Sequence, residues 1–457
     1  MSGKKQITRP IRWLWALGDA GFAAVVMISL NYFPPFLTDY AKFSLPMVAI
    51  ILGFCNGIDT IMAPFVGIFI EKIKMPWGKF RSWLLVGGLI VFVFNILQYT
   101  RFSHNEVLSA IIIIVGAGVG RTMWNVTFTA DTGMIPILAD ASSDYNHLMA
   151  RRQMWQYVGR LSFSISGVPL IALFTGLISP YWAIFIVAVI FSLLMVIGWW
   201  IEFGISGGYE ESVPQPANRM GTTTWVDMAK VLKNGPLWVL IVGATLRDIG
   251  MFTFIGFAFY YFRYVWNNLP AFGHYMIVSS IMSTVVTMFI AKHLISKLGP
   301  KKMWIVSASI ASVLFVFLRI FARNAYWFIV TDAFNAFTWA SAMAVHPMLF
   351  TDVATYAEWK TGIEARGFIL GLGNINTKVA VFVSGLVLSG VLMLIKFVPD
   401  AEQSAASISA LHSAFCLIPP AFYILHILVM TFAYRLDGGT IEKMKAEIEA
   451  RRAAQLA

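Results

Sequence analysis

Residues 180–203 read PYWAIFIVAVIFSLLMVIGWWIEF, an almost entirely apolar run that is long enough to cross a lipid bilayer as one helix. Runs of this kind recur along the chain of 457 residues, which is 58% hydrophobic and 12% charged, with a mean hydropathy of +0.72. Soluble domains carry about 25% charged residues, and so few charges cannot cover a water-exposed surface. The sequence therefore excludes an ordinary soluble domain and predicts an all-α membrane protein.

Twelve transmembrane helices are predicted from these runs. The spans are 12–37, 46–70, 83–100, 108–130, 156–175, 180–203, 236–265, 272–294, 303–321, 326–350, 367–395 and 408–434. The longest polar interruption divides six spans from six. The predicted organisation is an N-terminal six-helix bundle (1–203), a cytoplasmic linker (204–235), a C-terminal six-helix bundle (236–434) and a basic cytoplasmic tail (435–457).

The net charge of +11 is explained by membrane topology rather than by nucleic-acid binding. With both termini in the cytoplasm, 24 of the 34 Lys and Arg residues fall in cytoplasmic segments, four fall outside and six lie within spans. This asymmetry is what the positive-inside rule predicts. We therefore expect a multi-pass protein of the plasma membrane, in bacteria the inner membrane, with no nucleic-acid partner.

Short stretches recur in corresponding loops of the two predicted halves. The run Met134 to Asp140 after the fourth span resembles Met348 to Asp352 after the tenth, and both the second and the eighth span are followed by basic residues. Matching loops in two six-helix halves are typical of duplicated transporters, whose substrate site lies between the halves. The alternative is that these are ordinary basic inner loops.

Charged groups within spans are functional candidates because lipid does not tolerate them. Asp59 lies near the middle of the second span, where an isolated carboxylate tends to take up a proton. It could instead hold a cation with the oxygens of Asn56 or Thr60. Asp19, in the first span, faces either a cavity or the interface as a cap.

The fourth span carries a stripe made of Arg121, Trp124, Phe128 and Asp131, whose spacings place them on one helical face. Such a face suits a sugar, because polar groups bind hydroxyls or an acidic substituent while an aromatic ring stacks on the pyranose. The alternative is that Arg121 pairs with an acid on another helix and the aromatic residues only pack.

In the eleventh span, Asn374 and Lys378 are four residues apart and are expected on one face. A lysine at this depth needs a substrate or a structural carboxylate partner. Other charged residues in the spans are equally compatible with structural pairs or snorkelling side chains. They are Arg160, Arg247, Asp248, Arg263, Arg319 and Asp332.

One segment carries a specific family resemblance. Residues 352–362, DVATYAEWKTG, with Arg366-Gly367 following, closely resemble the signature after helix ten in the glycoside-pentoside-hexuronide:cation symporters of the major facilitator superfamily. Similar matches occur at Gly18-Asp19, at 59–67 and 77–81, and at Arg152. The likeness extends over nearly the whole chain and implies the major facilitator fold, in which two pseudo-symmetric six-helix bundles rock about a central site.

The resemblance implies that Asp19, Arg152 and Lys378 lie near the sugar and that Asp59 belongs to the coupling-cation site. Two positions depart from the family. Sodium-coupled members usually carry a second acid one turn after the first, where this chain has Ala63, and an acid used for sugar on the fourth helix falls at Phe128.

These departures favour H⁺ over Na⁺ as the coupling ion, because sodium needs several oxygen ligands whereas a single carboxyl can carry a proton. They also favour an acidic or sulfonated sugar, since Arg121 lies on the same helical face as the missing acid and a guanidinium binds such groups in bidentate fashion. Charged residues of the inner loops are expected to form latches that hold the outward-facing state. They are Lys79, Arg81, Asp140, Asp352 and Arg366.

The predicted function is therefore cation-coupled symport of a sugar by alternating access, without a cofactor, with the sugar and the bilayer as partners. A transporter of amphiphiles such as drugs or lysolipids on the same fold is the alternative, and it would need a larger apolar cavity. A membrane enzyme is disfavoured because the sequence has no nucleophile–base pair, metal cluster or phosphate loop.

Overall fold

The computed structural model describes residues 6–73, 75–139, 142–212, 225–363 and 365–456, and every regular element in these ranges is helical. Twelve helical runs correspond to the twelve predicted spans, which confirms the predicted fold class. Ten of them are long and apolar enough to cross a membrane. One of the other two is the 17-residue helix Arg81–Leu97. The second is Leu269–Val285, which continues through two further helical segments.

The first six runs are α1 Arg9–Tyr40, α2 Leu45–Met62, α3 Arg81–Leu97, α4 Glu106–Leu138, α5 Ser143–Leu177 and α6 Pro180–Ile205. α2 continues through Ala63–Phe65 into Val66–Lys72. Side-chain caps begin two of the helices, because the exposed main-chain N–H groups need acceptors. Asn105 accepts from the third residue of α4, and Ser179 caps α6 in the same way.

The second six runs are α7 Gly235–Val265, α8 Leu269–Val285, α9 Pro300–Phe321, α10 Ala325–Thr361, α11 Phe368–Leu394 and α12 Ala405–Ala433. α8 continues through Val286–Ile290 into Ala291–Leu298. A short helix, Trp225–Leu232, precedes α7. The C-terminal helix Gly438–Leu456 follows α12, in the segment that the sequence analysis described only as a basic tail.

The chain forms two compact units. The first unit consists of Met1–Gln215 and Leu388–Ser407, and the second of Pro216–Val387 and Ile408–Ala457. In the first unit, α1 packs on α5 and α6, while α3 packs on α4 and α6. The second unit has its own apolar core, which contains Trp304 and Phe350.

The backbone of α1 approaches its neighbours unusually closely. A Cβ atom on Gly198 of α6 would lie 2.5 Å from the Gly18 Cα, and one on Gly159 of α5 would lie 1.9 Å from the Ala20 carbonyl oxygen. Real Cβ contacts are never this short, so only glycine fits at these two crossings. Just before them, Ala16 interrupts the helix with a φ of 66°. This packing brings polar side chains of α5 and α6 against the start of α1.

Candidate functional site

Arg152 lies at the centre of a buried ion-pair cluster in the first unit. Its Nε is 2.6 Å from Asp19 Oδ2 and 3.4 Å from Asp131 Oδ2, and both carboxylates are fully buried. Gln156 donates to the same Asp19 oxygen at 2.9 Å, and Arg152 also donates to the Thr132 hydroxyl. The structure therefore joins three predicted substrate residues from α1, α4 and α5.

Glu202 of α6 is a fourth member of this cluster, and the sequence analysis missed it. Its side chain is fully buried, and Oε1 accepts a 2.6 Å hydrogen bond from the Gly18 main-chain N–H. Its carboxyl group lies within hydrogen-bonding reach of the Asp131 carboxyl. The available signal is that Glu202 is the only charged residue in 180–203, although a place near the end of a span is also typical of an interfacial residue.

An aromatic surface adjoins the ion-pair cluster. The Phe22 ring lies 4.8 Å from the Trp124 ring, edge to face, and stacks on the Phe128 ring at 4.7 Å. The Arg152 guanidinium is 4.2 Å from the Phe128 ring centroid. Phe22, Trp124 and Phe128 are all partly exposed, so this aromatic cluster lies beside the buried cation without being fully covered.

The predicted cation residues on α2 meet the other end of the α4 stripe. Arg121 Nη1 donates to Asn56 Oδ1 at 2.5 Å, and Asn125, which the sequence analysis did not single out, donates to Asp59 Oδ1 at 2.6 Å. The Thr60 hydroxyl donates to the Asn56 carbonyl oxygen within its own helix. A guanidinium thus binds one of the oxygens that a bound cation would have used.

The second unit contains a buried polar network on α7, α10 and α11. Arg247 pairs with Asp248 at 3.0 Å, and Asn376 and Thr377 donate to the other Asp248 oxygen at 2.7 and 3.2 Å. His346 hydrogen-bonds to Asn376 at 3.1 Å. With so many partners, Asp248 is explained as a structural residue, one of the two alternatives left open by the sequence.

The two predicted substrate residues of the second unit lie on either side of Asn376 and Thr377 in the sequence. Lys378 is half-buried one residue after Thr377, whereas Asn374 is exposed in a turn between the helical segments Arg366–Leu372 and Ile375–Leu394. Because Asn374 lies outside the helical segment that contains Lys378, the spacing of four residues does not by itself place these two side chains on one face.

The predicted latch residues are placed as follows. Arg81 donates to the Phe203 carbonyl oxygen at 2.8 Å, and its main-chain N–H donates to Glu210, so these contacts remain within the first unit. Lys79 is half-buried, as is Asp352 on α10, while Arg366 is exposed. Asp140 lies outside the described residues. The latch itself stays a prediction.

Apolar helices that bury charged side chains are typical of membrane transporters, because lipid would not tolerate those charges. The chain belongs to the MFS/sugar transport protein family, whose sequence model matches residues 14–438. The match confirms the family resemblance drawn from the sequence. The protein is accordingly a multi-pass membrane transporter of this family.

Curated relatives align over almost their whole length. A Salmonella typhimurium protein named as a sulfoquinovose importer is 24% identical, covering 96% of this chain and 92% of the relative. An Escherichia coli glucuronide carrier protein homologue is 22% identical, covering 96% and 95%. The isoprimeverose transporter of Lactiplantibacillus pentosus is 24% identical, covering 97% and 92%.

Among solved structures, the D-xylose-proton symporter superposes with a TM-score of 0.66 at 13% identity, covering 92% of this chain and 97% of the symporter. At this identity the likeness concerns the fold alone.

Proposed function

We propose that this protein is a proton-coupled symporter of an acidic sugar, one that bears a carboxylate or sulfonate group. The observation that carries the proposal is the Arg152 guanidinium, which lies beside the partly exposed Phe128 ring in an aromatic cluster that includes Phe22 and Trp124. A guanidinium can bind either acidic group in bidentate fashion, and an aromatic face can stack on a pyranose ring.

Arg121 supports an acidic substrate from the same helix. It is only 8% exposed, it donates through Nη1 to Asn56, and within the described residues its Nε has no hydrogen-bond partner. A buried donor without an acceptor is costly, so a substrate oxygen that reaches it would bind favourably. Lys378 is the corresponding cation proposed for the second unit.

Coupling to protons is supported by the surroundings of Asp59. A sodium ion would need several oxygen ligands, yet Asn56 Oδ1 already accepts from the Arg121 guanidinium, and Ala63 replaces a second acid. A carboxyl group needs no such ligand shell to carry a proton.

Two relatives point in the same direction for the substrate. Sulfoquinovose carries a sulfonate and a glucuronide carries a carboxylate, and proteins with these names align over nearly the whole chain. The isoprimeverose transporter, named for a neutral sugar, aligns equally well, so the substrate's charge has to be measured.

The test is uptake by the purified protein in proteoliposomes, using sulfoquinovose, glucuronate and isoprimeverose. Each sugar is offered with an inward proton gradient, with an inward sodium gradient, and with neither. We expect accumulation of at least one acidic sugar under the proton gradient alone. Accumulation that requires sodium would refute the proton coupling, and transport of isoprimeverose only would refute the acidic substrate.

A further inference from the structure

Asp131 and Glu202 form a pair of fully buried carboxyl groups within hydrogen-bonding reach of each other. In the described part of the chain, neither Asp131 oxygen receives a hydrogen bond, and Glu202 Oε2 receives none. Two ionised carboxylates in contact repel each other, whereas a single proton between them turns the repulsion into a hydrogen bond. Pairs of this kind titrate as a unit.

The charge balance of the whole cluster leads to the same conclusion. Three buried carboxyl groups, on Asp19, Asp131 and Glu202, face one guanidinium on Arg152. α3, which packs on α4 and α6, carries a second arginine, Arg81. Its Nε donates to the Phe203 carbonyl oxygen rather than to one of these carboxyl groups. If all three carboxyl groups were ionised, the cluster would hold two uncompensated negative charges in a buried site, where each is costly.

We infer that Asp131 and Glu202 are a proton-binding site, distinct from Asp59, and that the site is coupled to the substrate through Arg152. In the substrate-free cluster one proton lies between the two carboxyl groups, while Arg152 pairs with Asp19 and Asp131. An acidic sugar that binds Arg152 displaces the Asp131 carboxylate, which then takes up a second proton from water. The bound anion and this proton balance, so the net charge of the cluster is unchanged.

The coupling step rests on the proposed function, but the carboxyl pair does not. This difference allows the two to be tested separately.

Among the described residues, no group of three or more His, Cys, Asp or Glu side chains could hold a metal ion, so the three acids are not explained as a metal site.

The first experiment needs no substrate. Infrared difference spectra of the full-length protein in detergent are recorded as a function of pH, and the carbonyl-stretch band of protonated carboxyl groups is followed. We expect the band to be weakened in Glu202→Gln and in Asp131→Asn, each compared with wild type. The matched control is Asp144→Asn, whose carboxylate lies in a more exposed pair with Arg12 at 3.6 Å and should leave the band unchanged.

Variants are compared only if they elute as a single species on size exclusion, and either of the two suffices for the test. A band that is the same in the folded variant as in wild type would overturn the proton site. Loss of the band would support the site even if no acidic sugar is transported, in which case the proposed function alone would fail.

The second experiment tests the coupling with sulfoquinovose and glucuronate as probes. Addition of the sugar to lightly buffered wild-type protein should cause uptake of a proton for each molecule bound, reported by a pH-sensitive dye. At sugar concentrations raised until calorimetry shows binding, Asp131→Asn should take up less than half as many protons for each bound molecule as wild type. Undiminished uptake in Asp131→Asn would overturn the coupling through this pair.

Discussion

Replacing Arg152 with glutamine should destabilise the first unit strongly. The substitution leaves Asp19 and Asp131 buried without their cation, since Arg152 Nε is 2.6 and 3.4 Å from the two carboxylates and both are 0% exposed. Breaking a buried ion pair by removing one partner typically costs about 3–5 kcal/mol, because an uncompensated charge remains. We expect Arg152→Gln to fall in this range.

The measurement is the free energy of unfolding of the detergent-solubilised protein, followed by circular dichroism during a denaturant titration. The matched control is Arg12→Gln, which breaks the 3.6 Å pair with Asp144, where the arginine side chain is 56% exposed. An exposed pair contributes about 0–1 kcal/mol. The double variant Arg152→Gln/Asp19→Asn should regain part of the loss, because it removes one of the stranded charges. Equal losses for Arg152→Gln and Arg12→Gln would refute the reasoning.

Three further predictions concern packing, coupling and substrate charge. Gly198→Ala should cost about 1–3 kcal/mol in the same unfolding assay, because its Cβ would overlap the Gly18 backbone at 2.5 Å; a cost near zero would contradict the close crossing. Asp59→Asn should abolish cation-driven accumulation in vesicles while counterflow persists, and full accumulation by the variant would exclude Asp59 from coupling. Arg121→Gln and Lys378→Gln should each weaken acidic sugars by about 1.5–3 kcal/mol, roughly tenfold to hundredfold, with far smaller effects on neutral analogues. Equal losses for both classes of sugar would make these residues structural.

The twelve helical runs in the described part of the chain could be predicted because a bilayer requires long apolar runs, which hydropathy detects in the sequence. The helix ends could not be predicted in the same way. The fourth span was predicted to end at residue 130 and the tenth at 350, whereas α4 extends to Leu138 and α10 to Thr361. Hydropathy reports the part of a helix that lies in lipid, while hydrogen bonding within the helix allows it to continue into water.

The α4 stripe shows which part of a site periodicity can predict. Arg121 and Asp131 were expected to serve one site because they share a helical face. They are ten residues apart, which corresponds to about 15 Å along the axis. One end of the stripe therefore meets Asn56 on α2, while the other meets Arg152 on α5. Sharing a face does not imply a shared neighbour when the helix crosses different partners at different heights.

The same geometry gives a physical meaning to the departure at Phe128. From the sequence alone, Phe128 is the loss of an acid, and it favours a substrate that carries the negative charge instead. In the structure, the Phe128 ring lies 4.2 Å from the Arg152 guanidinium, and Asp131, one helical turn later, pairs with the same guanidinium at 3.4 Å. The negative charge is therefore present one turn further along α4, next to Glu202. In the mechanism that we infer, Asp131 exchanges Arg152 for a second proton when an acidic sugar binds. An acid at position 131 would therefore link substrate recognition to proton binding, which an acid at position 128 in contact with the sugar would not do by itself.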